Sequence, residues 1–429
     1  MKEGYLIKKL GSIPKGWSEK KMPDFSWFQE GPGLRKWQFK DEGIKVINIT
    51  NMVNGVLDLS KTTRHISLEE FNSTYTHFEC QENDIVIASS GNSYCKHAIV
   101  RKQDLPLVMN TSVIRFKPLS SINYNYLNQF LKSQLFKEQI DFMITGGAQP
   151  NFGPVHLKKV VLALPPLPEQ QKIAKILSTV DAKIDLITQR ITQTQNLKKG
   201  LMQRLLTKGI GHTEFKESPL GEIPKSWEVV KIEDIADVKG GKRLPKGKSL
   251  IEEKTNHPYI RVADMKMGGV DLDKILYVPE DVFLSIERYI INKDDLFISV
   301  AGTLGIVGGV PIELDGANLT ENADKLTNIK LDKTFLLQVL LSPIIQNAVK
   351  REQTNNAQPK LALTKIRTFY VPKPPKDEQT QIANILSTVD SKLDVLQNKK
   401  THYQELKKGL MQQLLTGKVR VTGLIKDVV

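Results

Sequence analysis

The 429-residue chain holds only two cysteines, Cys80 and Cys95, too few to staple a chain of this length with disulfides. A reduced, cytoplasmic compartment is therefore the expectation. Long apolar runs are missing as well. The best stretch, residues 335–341, is broken by Gln338 and falls far short of the roughly 18 residues a membrane helix needs. The opening MKEGYLIKKLGS lacks the apolar core of a secretory signal. The seven histidines are scattered, with no HxH, HExxH or CxxC pairing, so no metal centre is expected. Neither a GxSxG elbow nor a GxGxxG after a strand is present. The nearest approach to a phosphate loop runs from Gly241 to Ser249. It places five residues between its glycines where a P-loop has four, and it contains Pro245. Pro168-Glu169 followed by Asp181-Ala182-Lys183 loosely matches a nuclease pattern, but Asp181 and Lys183 fall on exposed faces of a helical pattern, and the second copy described below has Asp377 for Pro168. No catalytic residue is expected.

What the chain does have is positive charge: 61 Lys and Arg against 47 Asp and Glu, a net +14, which points to a polyanionic partner. The excess is uneven. Residues 1–164 carry 21 basic and 15 acidic side chains, whereas residues 213–376 carry 24 and 23. With 40% hydrophobic residues, the chain has enough apolar material for two or more folded domains.

An internal repeat organises the sequence. Residues 168–207 align without a gap on residues 377–416, with 24 of 40 positions identical, a level that marks duplication. Upstream, GSIPKGW at 11–17 recurs as GEIPKSW at 221–227. Fainter matches lie between. Asp84-Ile85-Val86-Ile87 answers Asp295-Leu296-Phe297-Ile298, and Ala148-Gln149-Pro150 answers Ala357-Gln358-Pro359. One unit is used twice: a short opening motif, a variable module, and a strongly repeated segment.

That segment reads as a long helix. Ile173, Leu177, Val180, Ile184, Ile187 and Ile191 follow 4-3-4-3-4 spacing, and Ile382, Leu386, Val389, Leu393 and Leu396 repeat the phase. Past Thr194 and Tyr403 the stripe shifts register. Prolines and acids open each helix and glycine follows each end. A stripe this narrow predicts two helices packed on each other, and two like units closing together favour an antiparallel coiled coil with a pseudo-two-fold repeat. The alternative is that each helix packs flat on its own module. Leu177, Val180, Ile184, Leu386, Val389 and Leu393 are the expected interhelix or partner-binding positions. Gly200 and Gly409, costly in a helix interior, are expected where the partner helix or another protein approaches closely.

The modules read as mixed α/β, giving an α+β chain overall. Strand-like runs appear near 44–49, 84–88, 112–116, 259–263 and 296–300, and helical patterns at 124–140 and 333–351. Residues 239–248 place Lys239, Lys242, Arg243, Lys246 and Lys248 in one glycine-containing loop, suited to gripping phosphates. Arg35 and Lys36 beside Trp37 hold a similar place in the first module; a core tryptophan next to a solvated basic pair explains that stretch equally. Two further loops offer base-reading chemistry: Asn92 and Tyr94, with Thr303 as partner, and Gln149 and Asn151, with Gln358 and Lys360 as partners. Gln149 and Gln358 close a turn or position a phosphate. The differing pairs Asn92/Thr303 and Asn151/Lys360 suit discrimination between sequences.

The repeated GxIPxxW, the prolines followed by Glu169-Gln170, Ile173-Ala174 and Asp181 (Glu378-Gln379, Ile382-Ala383 and Asp390 in the second copy), and the repeated LKKGLMQ together resemble the specificity (S) subunit of type I restriction–modification systems over the full chain. The resemblance implies two target-recognition domains, at 1–164 and 211–375, with a central conserved helix at 165–210 and a distal helix and tail at 376–429. It implies a non-catalytic subunit that reads a bipartite double-stranded DNA target. It also implies docking of two methyltransferase (M) subunits and of restriction (R) subunits. S-adenosylmethionine, ATP and Mg would sit on those partners, with no cofactor on this chain. A coiled-coil scaffold, a stand-alone DNA-binding protein outside restriction, and an enzyme with an unrecognised centre are the alternatives.

Overall fold

The computed structural model describes residues 13–144, 150–353 and 360–424. The chain divides into two compact units, one formed by the residues up to Thr188 together with those from Asn398 onward, the other by Gln189–Gln397. The two long helices, Leu167–Lys208 and Lys376–Leu414, each contribute to both units.

In the first unit, six strands bond in the order Ser26–Glu30, Val113–Pro118, Ile85–Ala88, His97–Ile99, Gly55–Leu57 and Met52–Val53. Ile85–Ala88 is buried on both faces, which is why it reads as a continuous apolar run. Ile85 and Ile87 pack with Phe116 and Phe130, while Val86 and Ala88 face Met52 and Met109. Ser18–Lys21, directly after Trp17, pairs antiparallel with Val161–Leu164, directly before the long helix. The module's beginning is thereby tied to its end.

The second unit repeats this plan. Asp237–Gly240, Ala323–Thr327, Leu296–Ser299 and Val307–Gly309 take the same order as the first four strands above. Glu228–Lys231 pairs with Tyr370–Lys373 in the place of the tying pair. A smaller sheet in each unit carries a parallel contact, Ile44–Ile47 with Leu107–Met109 and Pro258–Ile260 with Ala317–Leu319.

The helical patterns in the modules are each broken in two. Tyr124–Leu131 is followed by Gln134–Ile144, because Ser133 Oγ donates to the Phe130 carbonyl at 2.6 Å and accepts from the Phe136 amide at 3.2 Å. Lys333–Leu341 is followed by Pro343–Gln353. Pro343 opens the second piece, where its missing N–H costs nothing.

The long helices serve two partners at once. Ile173, Ala174 and Leu177 are buried among Tyr126 and Phe130 of the module, Met411 and Leu414 of the second helix, and Leu415 just past its end. In the other unit, Ile382, Ala383 and Leu386 are buried among Phe335, Leu336, Met202, Leu205 and Leu206. The two readings of the stripe thus combine. The start of each helix packs on its own module and on the end of the other helix.

The pairing is antiparallel within each unit. Glu169 meets Arg420 and Asp181 meets Lys407 in the first, and Glu378 meets His212 and Asp390 meets Lys198 in the second. Further along, Val180, Ile184, Val389 and Leu393 are only half-buried. Gly200 and Gly409 correct one half of an expectation, that the partner helix approaches closely there. Both are exposed, and an added Cβ would meet nothing within 4 Å, so no helix approaches closely at either. Among the described residues, no helix is long and apolar enough to cross a membrane.

Candidate nucleic-acid interface

Three hydrogen bonds gather three loops at one end of the first module's main sheet. Gly31 N donates to the Val113 carbonyl at 2.9 Å, Ser89 N to Ser112 at 2.9 Å, and Phe152 N to Ser89 at 2.9 Å. The second module makes the same three bonds: Gly241 N to Ala323 at 3.0 Å, Val300 N to Asn322 at 2.7 Å, and Leu361 N to Val300 at 3.0 Å. The first loop leaves its strand through a glycine because there is no room for more. A Cβ on Gly31 would overlap the Asn110 carbonyl, and one on Gly241 would overlap the carbonyls of Leu319 and Thr320.

Arg35 and Lys36, Asn92 and Tyr94, and Asn151 thus stand on neighbouring loops, as do Lys242, Arg243, Lys246 and Lys248 with Thr303 and Lys360. Arg35, Lys36, Asn92, Asn151, Lys242, Arg243, Lys246, Lys248, Thr303 and Lys360 are exposed. Gln149 and Gln358 lie outside the described residues.

The second module's basic loop is held at its base. The Tyr259 hydroxyl donates to the Lys242 carbonyl at 2.8 Å, and Lys242 Nζ lies 5.8 Å from the centre of the Tyr289 ring. Lys248 Nζ is 2.5 Å from Asp281, a partner that competes with any phosphate there. Arg243 and Lys246 meet no carboxylate among the described residues and are the freer cations.

Tyr94 is tied inward rather than presented. Its hydroxyl donates to Asp141 at 2.5 Å and accepts from Lys137 at 2.7 Å. The bond to the Asp141 carboxylate pushes the phenol above its usual range, with Lys137 opposing.

Trp37 is settled by its exposure. It is 75% exposed, so it is no core residue. Trp27, 41% exposed, has Arg115 at 5.0 Å and Lys117 at 5.7 Å over its ring.

Acids at this end of the sheets escaped the sequence reading. Glu30 and Asp324 occupy equivalent rungs on opposite strands, Glu30 facing Ile114 and Asp324 facing Gly240. Burial raises the Glu30 carboxyl. Burial also raises Asp324, to about 6, against the pull of Lys360 and Arg367. Comparison of the copies gave no signal for Asp324, because its counterpart is Ile114.

A second missed feature holds each module to its helix. Glu169, 1% exposed, accepts from Trp17 Nε1 at 2.9 Å and from Arg420 Nε and Nη2 at 2.8 Å each. Burial opposes its charge, but the Arg420 and Trp17 hydrogen bonds outweigh it and hold the carboxyl below its ordinary value. Glu378 accepts from Trp227 Nε1 at 2.9 Å, from the Ile210 amide at 2.8 Å, and from His212 Nε2 at 2.9 Å. Gln129 donates to Asp181 at 2.7 Å and Gln338 to Asp390 at 2.9 Å. All of these residues except Arg420, Ile210 and His212 occur at matching places in both copies, which was the available signal. Among the described residues no cluster of three His, Cys, Asp or Glu side chains could hold a metal.

Comparison with known proteins agrees with this duplicated construction. The family described as "type I restriction modification DNA specificity domain" matches twice, over residues 14–196 and 224–406. The type I restriction enzyme MjaVIII specificity subunit of Methanocaldococcus jannaschii is 27% identical over 355 residues, covering 80% of each chain. The EcoKI specificity subunit of Escherichia coli K12 is 24% identical over 426 residues, covering 94% of this chain and 89% of that one. The crystal structure of the type I restriction–modification S subunit from M. genitalium shares the fold. Its TM-score is 0.58 at 19% identity, covering 95% of this chain and 98% of the other. With two family matches spanning both helix starts and both modules, the chain belongs to the type I restriction modification DNA specificity domain family and carries that domain twice.

Proposed function

We propose that this chain is the sequence-specific DNA-binding subunit of a type I restriction–modification complex, with each module, at 1–164 and 211–375, reading one half of a bipartite target. The observation that carries this is the loop triad built twice by the same three hydrogen bonds. Each triad presents exposed cations together with exposed Asn, Thr or Lys side chains that differ between the copies. Cations release counterions from phosphates and grip any sequence. The polar side chains that differ can bond base edges and distinguish sequences.

The paired helices offer surface for protein partners. In the first unit, Val180, Ala182, Lys183, Leu186 and Tyr403 line a shallow, largely apolar groove of about 380 Å³. Two methyltransferase subunits dock on the helices in this reading, and restriction subunits join them. The chain itself carries out no chemistry and binds no cofactor. S-adenosylmethionine, ATP and Mg belong to the partners, and the complex works in the cytoplasm, where its DNA is.

The experiment is co-purification with a DNA methyltransferase encoded alongside the chain, followed by sequencing of the sites the complex methylates. Two short elements separated by a fixed gap are expected. A single contiguous target would contradict the two-module reading.

A further inference from the structure

The turn carrying Arg35 and Lys36 is built to keep a tryptophan in solvent. Residues 36–38 form one tight helical turn, closed by the Gln38 amide donating to the Arg35 carbonyl at 3.0 Å. Gln38 is buried, and its side chain accepts from the Arg35 amide at 2.6 Å while donating to Glu70 and, at 2.9 Å, to the Tyr75 hydroxyl. On either side, Leu34 and Phe39 pack on the cluster of Ile44, Val46, Ile66, Phe71 and Val108. The turn is therefore pinned through Gln38 and its flanks, and Arg35, Lys36 and Trp37 project away from the module.

An indole left 75% exposed forgoes the largest burial gain any side chain offers, although an apolar cluster lies beside it. Its surroundings select what would cover it. Residues 35–40 contain three cations and no acid, and Arg64 lies over the Phe39 ring at 4.9 Å. A flat apolar ring flanked by cations fits a polyanion with stacked aromatic faces. The second module has no counterpart: its basic loop carries five cations and no aromatic residue. The two modules thus differ in kind at the same place, one gripping by charge alone and the other by two cations and a ring.

We propose that Trp37 is an apolar wedge that packs against a base step of the DNA duplex, with Arg35 and Lys36 on the adjoining phosphates. Wedges of this type partly unstack the step they enter and favour easily deformed steps, so Trp37 contributes to sequence preference as well as to affinity. The proposal rests on the DNA-binding reading above, and salt separates the two. A ring against bases releases no counterions, whereas each lost cation–phosphate contact lowers the slope of log affinity against log salt by about 1.

The test uses the full chain with its methyltransferase partner and a duplex carrying the methylated target, with affinity measured across a salt series. Trp37→Ala is expected to weaken binding about tenfold with an unchanged salt slope, and Trp37→Phe to recover part of the loss. Arg35→Ala with Lys36→Ala is expected to lower the slope by about 2. Tryptophan emission of the parent chain is expected to fall when the duplex binds, and Trp37→Phe is expected to remove that change while Trp17, Trp27 and Trp227 remain. Trp37→Ala affinity within twofold of the parent, while the double cation variant weakens, would overturn the wedge and leave DNA binding by the loop standing. Loss of the methyltransferase from Trp37→Ala on gel filtration would overturn it in favour of a protein contact. Failure of the unsubstituted complex to bind duplex at any salt would overturn both readings.

Discussion

Trp17 donates its indole N–H to Glu169 at 2.9 Å, and the second copy repeats the bond from Trp227 to Glu378 at the same distance. In each unit the opening motif is thereby latched to the first turn of the helix that leaves the module. The segment following the other helix completes the latch, through Arg420 in one unit and His212 in the other.

Glu169→Gln removes the charge that Arg420 and Trp17 address while keeping the shape. A loss of roughly 2–3 kcal/mol is expected from breaking charge-assisted bonds to a buried carboxylate. Glu378→Gln is expected to destabilise its own unit comparably. Urea denaturation of both variants checks this, and an effect below 0.5 kcal/mol in both would remove the latch from the account.

The ion pairs between helices supply a second test. Lys407 lies 2.6 Å from Asp181 and Lys198 lies 2.5 Å from Asp390, the same residue types at matching places in the two copies. Both pairs are partly screened by solvent, so a coupling of about 1 kcal/mol or less is expected in each. Double-mutant cycles built from Asp181→Asn with Lys407→Ala, and from Asp390→Asn with Lys198→Ala, measure it. Similar couplings agree with duplication of the contact, while a coupling in one unit only would not.

Much of this was legible in the sequence because duplication provides its own comparison. The long helices, the central strands at Ile85–Ala88 and Leu296–Ser299, and the glycine-led basic loops follow from spacing and repetition. Two things were not legible. The heptad stripe at Ile173 and Leu177 does not reveal that module and helix share it, since both present apolar side chains. The exposure of Trp37 depends on Gln38 being pinned by Glu70 and Tyr75, residues distant in sequence. At Gly200 and Gly409 a helix-weakening residue retained in both copies implies a neighbour, and that neighbour is not the partner helix, because the space beside each is open within this chain.

His97 gives a pH-dependent prediction. It is buried, with Nε2 2.7 Å from Asn128 Oδ1. Burial, reinforced by Lys132, pushes its imidazole down to about 4. An unfolded histidine titrates near 6.5, so the unfolded state binds the extra proton between those values. Stability is therefore full above about pH 6.5 and falls as pH drops toward about 4. His97→Gln, which can still donate to Asn128, is expected to flatten this part of the curve. Melting temperatures at several pH values between 7 and 4 check it; parallel curves for parent and variant would contradict it.

In the basic loop, Lys242→Ala with Arg243→Ala is expected to weaken binding to all duplexes and to lower the salt slope by about 2. Lys248→Ala should matter less, because Asp281 already pairs with that ammonium. Affinity measured at several salt concentrations distinguishes the two. A larger effect at Lys248 would place the phosphates elsewhere on the loop.

In the proposed function two loop triads, built alike, each read a separate half of one target. The most direct measurement maps the sites methylated by the complex for two variants, Asn92→Ala with Asn151→Ala and Thr303→Ala with Lys360→Ala. The first pair is expected to relax one element of the target and the second pair the other, with the gap unchanged. Relaxation of the same element by both pairs, or no change from either, would contradict it.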